Sequence, residues 1–169
     1  TTDGGDTWNI LTIPTTEDLK DIFFTDNSTG YAIGLHHSTM IKTTNAGASW
    51  QFLSVPGDYG LKSVFFINAD IGFISGSDNA IFKTTNAGQN WVLQNTPPGN
   101  YINSVYFVNT NTGYAVGNSG DVFKTTDGGT TWLEQSVNSQ SDLSDISFID
   151  ANIGCIVGPS GLIYRTTDG

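Results

Sequence analysis

Glu17, Asp18, Asp58 and Asp78 are carboxylates in turn-forming stretches of this chain, and two of them held at the right separation could work as a general acid–base pair. Sequence alone brings no two of them to that separation, so no catalytic residue is assigned. His36 and His37 are the only histidines, and imidazoles can bind a transition metal. Two neighbours in one turn do not converge on an ion without further ligands, so the pair reads as surface and no metal or cofactor is expected. The single cysteine, Cys155, allows no internal disulfide and no cysteine-based metal cluster. It stands where the other repeats place Tyr31, Phe73 and Tyr114, which predicts a buried structural thiol.

The elements that must position these residues come from a repeat. The phrase Thr-Thr-(Asp/Asn)-x-Gly-x-x-Trp begins at Thr1, Thr43, Thr84 and Thr125, with a further start at Thr166. Its conserved-type positions here are Asp3, Gly5 and Trp8; Asn45, Gly47 and Trp50; Asn86, Gly88 and Trp91; Asp127, Gly129 and Trp132; and Asp168. Self-similarity at about 40 residues marks a stacked or radial repeat protein. The chain divides into repeats 1–42, 43–83, 84–124 and 125–165, with the start of a fifth at 166–169.

Between boxes, short β-rich runs alternate with Gly/Asn/Asp/Ser turns at hairpin spacing, and no stretch keeps a 3.6-residue period. Four antiparallel strands in about 41 residues is the size of a β-propeller blade. The fold class is therefore all-β: a propeller of about four four-stranded blades, in one domain or as part of a larger propeller. Residues 8–14 could supply the outer strand that a fourth blade at 143–165 would otherwise lack.

Composition excludes several functions. With a net charge of −10, six Lys and Arg, and one arginine (Arg165), the chain has no cationic footprint for nucleic acid or for an anionic membrane surface. No apolar run approaches the roughly 20 residues that span a bilayer. The Thr/Asn/Gly/Ser-rich, lysine-poor surface predicts an exported protein, extracellular, at the cell surface or periplasmic. The first residue, Thr1, and the repeat phrase at each end predict a processed product or a segment of a longer chain.

The phrase resembles the Asp-box, or bacterial neuraminidase repeat. With the Gly-Tyr-Ala-x-Gly and Ile-x-Lys elements that precede it, the chain is similar to the photosystem II assembly and stability factor propellers along its whole length. The resemblance implies that each box is the hairpin between the third and fourth strands, its Asp or Asn accepting backbone N–H groups. Asn45 and Asn86 in place of Asp argue against a calcium site. It also implies that variable loops gather on the face opposite the boxes. The candidate ligand-face residues there are Glu17, Asp18, His36, His37, Asp58, Tyr59, Asp78, Asn79, Asn100, Tyr101, Asn118, Asp121 and Asp142.

Three functions follow as expectations. The main one is a non-enzymatic extracellular binding or scaffold propeller whose loop-lined face meets a protein or glycan. The second is part of a xyloglucanase-like glycoside hydrolase; sialidase chemistry is excluded because Arg165 alone cannot clamp a substrate carboxylate. The third is the role of the resembled family, assembly of a membrane protein complex. Its members are reported to use an arginine-rich patch, which this chain lacks. The rest of a longer chain, or a second copy, could complete the ring.

Overall fold

The computed structural model describes residues 1, 3–99, 101–135, 137 and 140–169. Its strands form four antiparallel sheets in chain order. The first holds β1 (Leu19–Phe24), β2 (Gly30–Gly34), β3 (Met40–Thr43) and β4 (Gln51–Phe52). The second holds β5 (Leu61–Phe66), β6 (Gly72–Gly76), β7 (Ile81–Thr84) and β8 (Val92–Leu93), and the third β9 (Ile102–Phe107), β10 (Gly113–Gly117), β11 (Val122–Thr125) and β12 (Leu133–Gln135). The fourth has three strands, β13 (Asp145–Phe148), β14 (Gly154–Val157) and β15 (Ile163–Thr166). Among the described residues there is no α-helix; two 3-10 turns, Asn118–Gly120 and Pro159–Gly161, link middle strands.

This is a β-propeller of about four blades. Each sheet pairs only with neighbours in sequence, so every blade is a meander, and the blades pack face to face. The middle strands β2, β6 and β10 are buried along their whole length. An aromatic from the middle strand of one blade stacks on a phenylalanine from the inner strand of the next. Tyr31 lies 4.2 Å from Phe66, Phe73 4.0 Å from Phe107, and Tyr114 4.2 Å from Phe148, all near-parallel. Three apolar clusters result, one per junction.

Two expectations change. Residues 8–14 form no strand, and Trp8, Ile10 and Leu11 are exposed; the repeat register names a strand there, but no edge lies beside it. Cys155 is half-buried, because the face of the fourth blade that should cover it has no neighbour.

Candidate functional site

The box hairpins form one face of the propeller. In the third blade the Asp127 carboxylate accepts the Thr131 backbone N–H at 3.0 Å and the Thr131 hydroxyl at 2.7 Å. The Thr125 hydroxyl donates to Asp127 at 2.8 Å and accepts the Gly129 N–H at 2.9 Å. These bonds, the Thr131 N–H first, hold the Asp127 carboxyl down at about 2. Asn45 and Asn86 make the same backbone bonds through their amide oxygens, to Ser49 and Asn90, each at 2.9 Å. Asp3 repeats them on Thr7, and Asp168 accepts the Thr166 hydroxyl at 2.8 Å. Gly5, Gly47, Gly88 and Gly129 all have positive φ, which the turn requires. Trp50 and Trp132 donate Nε1–H to the carbonyls of Gly47 and Gly129, both at 3.1 Å. Trp91 is buried with Nε1 unpartnered, for which we have no physical account.

Each box tip is also held by the blade before it. Lys42 Nζ donates to the Ala87 carbonyl at 2.9 Å and Lys83 Nζ to Gly128 at 2.7 Å, and Lys124 Nζ donates to Gly169. Tyr31 and Tyr114 hydroxyls add bonds to Ala87 and Gly169. The lysine stems lie over the aromatics of their own sheets. Sequence reasoning had no role for these lysines; their fixed place just before each box was the available signal. Three of the chain's six cations are spent in this way.

The opposite face carries the turns between second and third strands and the crossings between blades, stitched by backbone bonds such as Leu35 N–H to Asp18 and Ser77 N–H to Gly60. Here the structure brings His36, His37, Asp58 and Tyr101 together with Leu35, Gly60, Lys62 and Ser77 around an open groove. His37 Nδ1 lies 3.5 Å from the Asp58 carboxylate, and Lys62 Nζ sits 5.1 Å from the centre of the Tyr101 ring. The imidazoles of His36 and His37 are tilted apart, 6.4 Å between centres. Lys62 was not among the residues singled out from sequence.

The other candidates are placed differently. Tyr59 turns inward, edge-on to Phe82 at 5.2 Å. Asn79 is buried, its Nδ2 donating to the Pro97 carbonyl at 3.2 Å. Asn118 accepts from Asn103 at 2.8 Å, and Asp142 accepts the Ser119 N–H at 2.9 Å, so both join third and fourth blades. Burial pushes the Asp121 carboxyl up, against a hydrogen bond from Asn79. Glu17 lines a second open groove beside His37, and Asp18 and Asp78 are exposed. Asn100 lies outside the described residues.

Equivalent positions of the inner strands carry Asp21, Ser63, Ser104 and Asp145. Asp21 accepts the Val64 N–H at 2.8 Å and Ser104 donates to Asp145 at 2.7 Å, each across a blade junction. Burial pushes the Asp21 carboxyl up, and the Asp145 charge adds to the shift. Among the described residues no group of three His, Cys, Asp or Glu side chains is placed to hold a metal ion.

The family model of the photosynthesis system II assembly factor YCF48 matches residues 2–132 and 93–169. The chain belongs to that family. It is a family of assembly factors, in accord with a non-catalytic chain. No curated protein matches the sequence. Two solved YCF48 structures share the fold. One is YCF48 bound to D1 peptide, with 20% identity and a TM-score of 0.73 over 92% of this chain and 55% of that one. The other is YCF48 from Cyanidioschyzon merolae, with 16% identity and a TM-score of 0.73 over 89% and 51%. The chain thus spans about half the length of the YCF48 structures it matches. An ancestral GH74 enzyme also shares the fold, with 20% identity and a TM-score of 0.78, but only 24% of that enzyme is covered.

Family membership corrects the main functional expectation. An extracellular module showing its face to a protein or glycan is replaced by an assembly factor, whose partner class is protein; nothing in the comparisons points to a glycan.

Proposed function

We propose that this chain is a protein-binding assembly factor for a membrane protein complex, holding an extended segment of a client subunit on its crossing face. The family match along the chain carries this reading, and the YCF48 relative solved with a D1 peptide supports a peptide as the ligand form. The groove around His36, Asp58, Lys62 and Tyr101 has what a peptide needs. An aromatic ring offers apolar area, and charged and hydroxyl groups of both polarities can meet backbone and side-chain polar atoms.

Charge tells which segment suits it. Lys42, Lys83 and Lys124 are spent on box carbonyls, while Asp18, Asp58, Asp78 and Asp142 stand exposed in the crossings and turns. The partner segment is therefore cationic or neutral, in contrast to clients met by an arginine-rich patch. Export rests on the composition alone and is compatible with this role.

Titration calorimetry of the chain with the D1 peptide, and with a lysine-substituted version of it, tests the proposal. Binding is expected to tighten with added lysine and to weaken about tenfold in Tyr101→Ala, the loss of one interface anchor. Equal binding by wild type and Tyr101→Ala, or none by either peptide, would overturn it.

A further inference from the structure

The three blade junctions are copies of one another, and the third lacks a part. The first junction clusters Tyr31 and Phe66 with Trp91, and the second clusters Phe73 and Phe107 with Trp132. Each tryptophan meets its phenylalanine edge-on, at 6.1 and 5.8 Å. The third cluster holds Tyr114 and Phe148 and no tryptophan. In its place lies a cavity of about 340 Å³ lined by Tyr114, Phe148, Gly154 and Tyr164. The blade beside it is the three-stranded one, so β15 also has a free edge where β3, β7 and β11 have partners.

The chain carries the missing part elsewhere. Trp8 is the box tryptophan with no blade of its own and is 80% exposed, and Asn9–Ile10 stand where Gln51–Phe52 form β4. The flat faces at the two ends are unpaired in a matching way. Leu61 and Val64 are 0% and 3% exposed at an internal junction, whereas their equivalents Leu19 and Ile22 are 38% and 55%. Ile81 is 0% exposed, and its equivalent Ile163 at the far end is 65%. Unpaired edges and apolar faces of this kind are covered in solution.

We infer that a second copy of this chain covers them, head to tail, in a closed two-copy ring. Trp8 of one copy fills the cavity above Phe148 of the other, and Asn9–Ile10 add to β15 as its outer strand. By the register of β3 with β4, Ile10 pairs with Tyr164 and Asn9 with Arg165. Thr166–Gly169 keeps the shared turn, and the incoming copy enters from Gly5 onward. Leu19 and Ile22 then lie against Val157 and Ile163. Arg165, the equivalent of Lys42, reaches the Ala46 carbonyl as Lys42 reaches Ala87. The contact joins two different faces, so it must close or run on. A chain half the length of the YCF48 structures closes with two copies.

Analytical ultracentrifugation and native mass spectrometry of the 169-residue chain decide it. The expected species has twice the 18.1 kDa chain mass. Trp8→Ala and Ile163→Glu, both at exposed positions of the single copy, should each give folded monomer by circular dichroism. Ile22→Glu should do the same, and mixing it with Ile163→Glu should restore dimer through the one junction left intact. A monomeric wild type overturns the inference, including one whose Trp8 emission shows it buried against its own fourth blade. So does a dimer indifferent to Ile22→Glu, or assembly beyond two copies.

Discussion

Trp132 shows how much one side chain of the repeat carries. It is buried between the third blade and the second, edge-on to Phe107, with its Nε1–H bonded to Gly129. Trp132→Ala should cost about 3–5 kcal/mol in urea unfolding, since the ring leaves a cavity that its neighbours only partly fill. Asp127 makes a pH prediction. Its carboxyl titrates at about 2 when folded against an ordinary 3.8, so its stabilisation is complete above the ordinary value and is lost as pH falls through about 2. Asp127→Asn keeps the acceptor, as Asn45 and Asn86 do, and loses the charge. Thermal unfolding across that acid range should show the variant losing less stability than wild type, by a small margin because the group is exposed. The box residues were legible in the sequence because their bonds are local, within four positions. The unpartnered Trp91 Nε1 was not, because it depends on packing across a junction.

At the scale of elements, the lysines before the boxes join hairpins of neighbouring blades, and the repeats differ in how many donors each carbonyl receives. Ala87 accepts from both Lys42 and the Tyr31 hydroxyl, whereas Gly128 accepts from Lys83 beside Phe73, which has no hydroxyl. Lys83→Met should therefore destabilise by about 1–3 kcal/mol, leaving a carbonyl without its donor, and Lys42→Met by roughly 1 kcal/mol less. Chemical denaturation of the two variants side by side checks the order; equal losses would mean the stems and not the bonds matter. Strand positions were readable from apolar spacing, since Leu61, Val64 and Phe66 recur as Ile102, Val105 and Phe107. Residues 8–14 carry the same text and form no strand, because a strand needs an adjacent edge as well as a suitable sequence.

At the scale of the whole molecule, the repeat made the propeller visible and left the function open, since a hairpin that stabilises blades says nothing about the opposite face. The groove joins His36 from one turn to Asp58 and Lys62 near one crossing and Tyr101 near the next, residues up to 65 positions apart, so no local pattern announces it. Lys62 in particular reads as an ordinary strand lysine until its place over Tyr101 is seen. The central claim is that this face, and not the boxes, holds the client segment. Hydrogen–deuterium exchange of the chain with and without the peptide probe tests it most directly. The account predicts slowed exchange at Leu35–Thr39, Asp58–Lys62 and around Tyr101, with the turns at Asn45–Trp50 and Asp127–Trp132 unchanged. Protection confined to the box turns would contradict it.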